Sequence, residues 1–251
     1  MMISLITPYY HEEPFLQYIE AVKKFMPEPY EWIVVDDRGN GYNSVFTKYI
    51  KNPVRLGYSK SINIGIREST ARKVLLLNND AMLSDGCVQE LDRILSSDSR
   101  IGMVGARAFS DGKYVGPVEY DLHSRLYGRL KEHDDRTEVH LLNSECVLIR
   151  REMIDDIGLM DEDHYWHDGS DLEYCMRAVR FGWRLMFAKN TTLYHEHGRY
   201  KKDKEVPEND VVMPLLDLLI KPEMLIKTIE IPVQKRAELF PSVSYIRRLA
   251  K

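Results

Sequence analysis

Val74-Leu75-Leu76-Leu77-Asn78-Asn79-Asp80 is a run of four apolar residues that stops abruptly on three polar ones. A run apolar at every position has no solvent face, so it reads as a strand buried on both sides, ending in a polar turn. Residues 84–95 after it carry the pattern of an amphipathic helix. The same motif lies upstream. Trp32-Ile33-Val34-Val35 ends in Asp36-Asp37 and then in the turn-forming Arg38-Gly39-Asn40-Gly41. Ile3-Ser4-Leu5-Ile6-Thr7 is a third apolar run, closed by Pro8. Between these strands, residues 15–25 place Phe15, Leu16, Ile19, Val22 and Phe25 at helical spacing, and residues 61–68 put Ile62 and Ile66 on one helix face. Val54-Arg55-Leu56 reads as a weaker strand. Strands alternating with helices of this length imply βαβ units and an α/β fold built on a mainly parallel sheet. Ligands of such sheets bind outside the carboxyl ends of the strands. Three of those ends are polar here: Thr7-Pro8-Tyr9, Asp36-Asp37 and Asn78-Asn79-Asp80.

The second half is less regular. Residues 102–109 suggest a strand, 110–138 a polar irregular insertion, and 139–149 an apolar stretch interrupted by Asn143-Ser144-Glu145. Residues 171–181 read as a helix stopped by Gly182. Leu185-Met186-Phe187 and Thr191-Thr192-Leu193-Tyr194 read as two strands, followed by His195-Glu196-His197-Gly198. Residues 199–210 are rich in Lys, Asp and Glu, as a mobile loop or linker would be. The remainder to residue 251 is expected to be helical, broken by Pro214, Pro222, Pro232 and Pro241.

The 251 residues are 44% hydrophobic and 29% charged, an ordinary globular balance. A net charge of −4 lacks the basic field of a nucleic-acid binder. The 3 cysteines, Cys87, Cys146 and Cys175, form no CxxC pair, which suits free thiols in a reducing compartment. No apolar run approaches the ~18 residues of a membrane span. The opening apolar run is also too short for a signal peptide. A cytoplasmic location is therefore expected, with peripheral membrane contact left open.

Several of these residues suit chemistry. Asp80, at the end of an apolar strand, is placed to hold a divalent cation that neutralises a diphosphate, although Asn and Asp also favour plain turns. His195 or His197 suits a metal such as Mn²⁺, and strand alternation lets only one of them face a given side. Asp36 and Asp37 could accept hydrogen bonds from a base or ribose, or simply end a strand. In Trp166-His167-Asp168-Gly169-Ser170-Asp171-Leu172-Glu173, Ser170 and Glu173 have capping-box spacing. Asp171 is then expected in a first helical turn, ionised by the dipole and available as a general base. There is no GxGxxG and no GxxxxGK[ST], which weakens dinucleotide oxidoreductases, glycine-rich methyltransferases and P-loop NTPases.

In order, these segments resemble the family 2 glycosyltransferases of the GT-A fold, and within them a rhamnosyltransferase-like subgroup. The resemblance runs from about residue 3 to 198. Residues 3–10 are similar to the opening strand with its Thr-Pro-Tyr turn, and residues 32–37 to the family's VVDD strand. In residues 52–65, NPVRLGYSKSINIG, Arg55, Gly57, Asn63 and Gly65 carry the glycine–asparagine segment. Leu75 to Asp80 stands where the family has its metal motif, with Asn78 where many members carry Asp. Residues 143–151 and 158–161 resemble the Arg-Arg and Gly-x-x-Asp segment. Residues 170–177, SDLEYCMR, resemble the acidic catalytic motif, with Ser170 in place of its Glu.

The resemblance implies a GT-A domain over residues 1–200, with a donor half of about 1–100 and an acceptor half of about 101–200, and a mobile loop and helical extension over 201–251. It implies an inverting transfer from a UDP- or dTDP-linked sugar to a hydroxyl of a glycan or other acceptor. Asp171 matches the base, with Asp168 as a nearby alternative. Asp80 and His195 match the ligands of a divalent metal, Mn²⁺ or Mg²⁺, with His197 as the alternative histidine. The donor side falls to Thr7, Pro8, Tyr9, Asp36, Asp37, Arg55, Gly57, Asn63, Asn78 and Asn79, the acceptor side to Trp166, His167 and Asp168. Arg199, Lys201 and Lys202 are placed to close over the diphosphate. Two other classes share parts of the pattern: a nucleotidyltransferase of nucleotide-sugar metabolism, which should open on a glycine-rich loop, and a non-catalytic nucleotide- or sugar-binding scaffold.

Overall fold

A computed structural model describes residues 2–195 except 11–14, 39–45, 111, 116–117, 122–125, 130–136 and 168. The elements, in chain order, are β1 (Ile3–Tyr9), α1 (Phe15–Phe25), β2 (Tyr30–Asp36), β3 (Lys48–Lys51), α2 (Tyr58–Glu68), β4 (Lys73–Leu77), β5 (Ala81–Leu83), α3 (Cys87–Ser97), β6 (Ile101–Ser110), β7 (Lys113–Val115), β8 (Val118–Asp121), β9 (Leu126–Arg129), β10 (Glu138–Val139), β11 (Cys146–Arg150), α4 (Arg151–Ile157), α5 (Ser170–Arg180) and β12 (Arg184–His195).

One sheet dominates, in the order β10-β12-β6-β11-β4-β1-β2-β3, with β5 on β12 and β7 on β6. β4, β1, β2 and β3 are parallel. β11 runs antiparallel to both β4 and β6. Two reversals restore direction, so β6 and its parallel partner β12 end at the same edge as β4 and β1. That edge collects the carboxyl ends on which function was expected.

Period-two alternation divides the strands between two cores. Ile6, Leu76, Val147 and Ile149 pack with α2, α4 and α5 on one face. Leu5, Leu75, Leu77 and Leu148 pack with α1 and α3 on the other. Helices on both faces explain why β1 and β4 are buried at every position. α1 turns Phe15, Tyr18, Ile19 and Val22 inward, whereas Leu16 is 67% exposed.

Four local expectations are corrected. Val54-Arg55-Leu56 is not a strand. The edge position goes to β3, whose Lys48 and Lys51 suit an edge, while Val54 lies exposed in a loop beyond Pro53. The irregular insertion contains the short strands β7, β8 and β9. The two late strands are one, β12, with an irregularity between Ala188 and Leu193. Thr191 Oγ1 holds that irregularity, donating to Ala188 O at 2.7 Å and accepting from Arg107 N at 2.7 Å. The capping box at α5 does not form. Gly169, at φ 81°, is the N-cap, Ser170 donates to His167 O, and Glu173 is drawn into a two-point pair with Arg177 at 2.7 and 2.9 Å. A left-handed glycine and a buried ion pair outcompete the local side-chain cap. Among the described residues, no helix is long and apolar enough to cross a membrane.

Candidate active site

The common strand edge opens into a cleft lined by Pro8, Tyr10, Asp37, residues 55–58 in part, Ser61, Asn78, Asn79, Asp80, Trp166, His167 and His195. Asp80 and His195 meet there for a reason of register. The turn after β4 closes through Ala81 N to Asn78 O at 3.0 Å, and β5 then pairs with the end of β12, setting Ala81 opposite His195. The result is Asp80 Oδ1 3.1 Å from His195 Nε2, both side chains largely covered. An oxygen and an imidazole nitrogen at this separation can share one divalent ion of the Mn²⁺ kind. Asn78 Oδ1 lies buried beside them with no hydrogen-bond partner among the described residues. No group of three or more metal-ligating His, Cys, Asp or Glu occurs among the described residues. A cation here would therefore complete its shell with ligand or solvent oxygens, as such ions commonly do when they bridge phosphates. The donor set fits a divalent metal.

The opposite wall hangs on Asp37. Its Oδ1 accepts from Asn52 Nδ2 at 2.9 Å and Leu56 N at 2.7 Å, and its Oδ2 accepts from Gly57 N at 2.9 Å. These bonds fix the loop leading into α2 and hold Arg55 over the cleft. The Arg55 guanidinium lies 3.8 Å from the Tyr10 ring centre and 4.7 Å from that of Trp166, a cation between two aromatic faces. Gly57 is required twice over. Its φ is 88°, and a Cβ there would meet Trp166 Nε1 and O at 2.6 Å. Gly57→Ala is therefore expected to lose about 1–3 kcal/mol of stability and to push Trp166 out of the cleft wall. Denaturant titration with tryptophan fluorescence checks both effects.

Asp171 stands at the start of α5, half-buried, with Oδ1 accepting from Leu172 N at 2.9 Å. Burial pushes its carboxyl up to about 6, and the nearby charge of Glu145 adds to that rise. The expected ionising effect of the helix start is thus outweighed by desolvation. Tyr58 lines the cleft and feels the charges of Asp171, Glu145 and Asp80. Burial raises its phenol far above the ordinary range, and its hydroxyl donates to Ser144 O at 3.3 Å.

Other expected contacts lie elsewhere. Thr7 faces the core, where its Oγ1 accepts from Trp32 Nε1 at 3.0 Å and shares a hydrogen bond with Tyr18. Tyr9 is buried and stacked on Phe15 at 4.2 Å, so Tyr10 takes the place at the cleft. Asp36 is buried, accepting from Tyr49 Oη and Arg38 N, because neighbours on a strand point to opposite faces. Asn63 ties α2 to the chain beyond α4 through Met160 N, Met160 O and Glu162. Pro8, Asp37, Arg55, Gly57, Asn78, Asn79, Asp80, Trp166, His167 and His195 are brought together. Asp168, His197, Arg199, Lys201 and Lys202 lie outside the described residues, as does the whole extension over 201–251. Sequence reasoning missed Tyr10, Tyr58, Ser61 and Glu145. Tyr58 and Ser61 could have been found from Gly57, which starts the helix one residue before Tyr58.

A central mixed sheet flanked by helices is the architecture of GT-A glycosyltransferases. Solved structures of that fold superpose on this chain. One is S. aureus TarS 1-349 in complex with UDP-GlcNAc, at TM-score 0.63 and 16% identity over 96% of this chain and 73% of that one. Another is the mannosyltransferase PcManGT from Pyrobaculum calidifontis with GDP-Man and Mn²⁺, at TM-score 0.58 and 15% identity over 99% and 79%. Residues 4–158 match the family Glycosyl transferase family 2. The chain belongs to that family. Among curated relatives it is 22% identical over 195 residues to the uncharacterized glycosyltransferase YwdF of Bacillus subtilis (strain 168), covering 72% of this chain and 69% of YwdF. It is 28% identical over 166 residues to the O-antigen biosynthesis protein RfbC of Myxococcus xanthus, covering 59% of this chain and only 13% of RfbC.

Proposed function

We propose that the chain is a metal-dependent, inverting glycosyltransferase that moves a hexosyl or deoxyhexosyl unit from a UDP- or dTDP-linked donor to a hydroxyl acceptor. The observation that carries this reading is the convergence of Asp80 and His195, 3.1 Å apart, in the cleft that also holds Asp37 and Arg55. The superposed transferases holding UDP-GlcNAc or GDP-Man with Mn²⁺ support it. So does family membership.

Asp80 and His195 would hold the metal, which supplies charge neutralisation for the departing diphosphate. Arg55 and the Tyr10 and Trp166 rings offer flat surfaces and a fixed positive charge for the nucleotide. Tyr58 and Trp166 exclude water from the reacting region, where unwanted hydrolysis would compete. The acceptor hydroxyl is a weak nucleophile, and Asp171 removes its proton as the new C–O bond forms. Attack of the acceptor oxygen on the face of the anomeric carbon opposite the departing diphosphate gives inversion in a single displacement.

The test is product release. UDP-GlcNAc, UDP-glucose, UDP-galactose, dTDP-rhamnose and GDP-mannose are each incubated with the chain and Mn²⁺, with water or free sugars as acceptors. Release of nucleoside diphosphate from at least one donor, abolished by a chelator, is expected. Nucleotide binding with no turnover of any donor would favour a non-catalytic scaffold instead.

A further inference from the structure

The segment between β10 and β11 ends in a turn at Ser144 and Glu145. That turn is bonded to three elements of the site. Ser144 O accepts from Tyr58 Oη of α2 at 3.3 Å. Glu145 O accepts from Asn78 N, at the end of β4, at 3.0 Å. Ser144 N donates to the Asp171 carboxylate of α5. Just upstream, Leu142 is tied to α5 through its N and O, which lie 3.3 and 3.6 Å from Cys175 Sγ. The Glu145 side chain is buried in this frame, and its Oε1 accepts from Asn143 Nδ2 at 3.3 Å. Its charge acts on Asp171, on Tyr58 and on Cys146. Tyr58 and Cys175, which also face Asp171, are kept neutral by burial. Asp80 acts on Tyr58 from the other side, and the His167 ring lies 5.7 Å from that of Tyr58. Glu173, the other acid in the first turn of α5, is taken up by Arg177 at 2.7 Å. The carboxylate that faces Asp171 therefore comes from a distant turn and not from its own helix.

We propose that Glu145 is a positioning residue for sugar transfer, acting through Asp171: the turn before β11 presents a second buried carboxylate to the base, and the two acids receive the acceptor proton as a pair. The assignment rests on reading the cleft as a glycosyltransferase site with Asp171 as its base. In the transfer step the acceptor O–H bond breaks and its proton passes to Asp171. The acceptor oxygen bonds to the anomeric carbon, and the electron pair of the old C–O bond leaves with the nucleoside diphosphate. Ahead of that step Asp171 and Glu145 are two like charges in a place with little water, and after it one of them is neutral. Relief of their repulsion favours proton uptake while the new bond forms. The direction agrees with the Asp171 carboxyl, which burial and then the Glu145 charge raise to about 6.

The test compares the wild-type chain with Glu145→Gln, which keeps the shape and loses the charge, and with Glu145→Asp, which keeps the charge. Three quantities are read: the pH profile of transfer, the UDP-induced thermal shift with Mn²⁺, and the NMR titration of the Asp171 carboxyl carbon, identified by its loss in Asp171→Asn. In Glu145→Gln the acid limb of transfer and the Asp171 titration should both move to lower pH, by about half a unit to one unit. Its kcat above the limb should fall about two- to threefold, with the donor KM unchanged. Glu145→Asp should stay closer to wild type in both. The UDP shift should be equal in all three proteins. A side chain that only held the turn would lower the rate at every pH and leave the limb in place. The proposal is overturned if the limb and the titration of Glu145→Gln stay where they are in wild type or rise, or if Glu145→Asp behaves as Glu145→Gln does. It is also overturned if Glu145→Gln fails to fold, since removing one of two facing like charges should leave the chain folded. Failure of the cleft reading shows separately, as the absence of any UDP shift in the wild-type chain, while the NMR titration still reads the pair of acids.

Discussion

Asp171→Asn is expected to remain folded, keep its affinity for donor nucleotide and metal, and lose sugar transfer by roughly two to four orders of magnitude. The size follows from the role. A first-turn carboxylate that only steadied α5 would cost about 0.3–1 kcal/mol of stability and leave turnover intact. The environment adds a signature in pH. Burial, reinforced by Glu145, raises the carboxyl to about 6, and only the ionised form can take a proton. Transfer by the wild-type chain should therefore fall as pH drops through about 6, a value to which the Glu145 charge beside Asp171 contributes. The linkage to stability has the opposite sense. A folded-state value above the unfolded one means that the folded chain binds the proton more tightly, so this stabilising contribution is present at low pH and lost as pH rises through about 6. Asn resembles the neutral carboxyl, and Asp171→Asn should be no less stable than wild type at neutral pH. Transfer rates and melting midpoints from pH 5 to 8 check both halves. Near-wild-type transfer by Asp171→Asn, together with a dead Asp168→Asn, would reassign the base to Asp168.

Asp80→Ala should abolish the gain in nucleotide affinity that Mn²⁺ provides, about a hundredfold or more, without disturbing the fold. Asp80 sits in a turn at the cleft, with its Oδ1 3.1 Å from His195 Nε2. Truncating it removes the proposed ligand and leaves the buried strand β4 untouched. His195→Ala should show a smaller loss of the same kind, and His197→Ala less again. Titration of UDP against each variant by calorimetry, with and without Mn²⁺, resolves the order. Unchanged metal-dependent affinity in Asp80→Ala would remove Asp80 from the metal site.

How much of this was readable beforehand depends on the range of the forces involved. The strands around Val34, Leu76 and Ile6 were legible because burial on both faces leaves an uninterrupted apolar run, a local signal. Helix α1 was legible from spacing alone. What failed was decided by distant partners. Val54-Arg55-Leu56 looked like a strand by composition, but Asp37, some twenty residues away, holds Leu56 and Gly57 in a loop. The capping box at Ser170 was locally sound, yet Glu173 pairs with Arg177. Asp36 and Asp37 could not be told apart in the sequence, because which neighbour faces the cleft depends on the register of β2. The approach of His195 to Asp80 depends on β5 pairing with the end of β12, two segments more than a hundred residues apart. The resemblance to a known family supplied that pairing of roles, which periodicity alone does not contain.

The cleft between Asp80, His195, Asp37 and Arg55 is proposed to bind a nucleoside diphosphate through a divalent metal. Its most direct test is a thermal-shift screen of the wild-type chain with UDP, dTDP and GDP, each with Mn²⁺ and with chelator. A ligand that binds only the folded form raises the midpoint, and at a hundred times its dissociation constant it contributes about 2.7 kcal/mol. A clear rise with UDP or dTDP that needs Mn²⁺ and is lost in Asp80→Ala is expected. A midpoint indifferent to all three nucleotides, or a rise of equal size with chelator present, would contradict it.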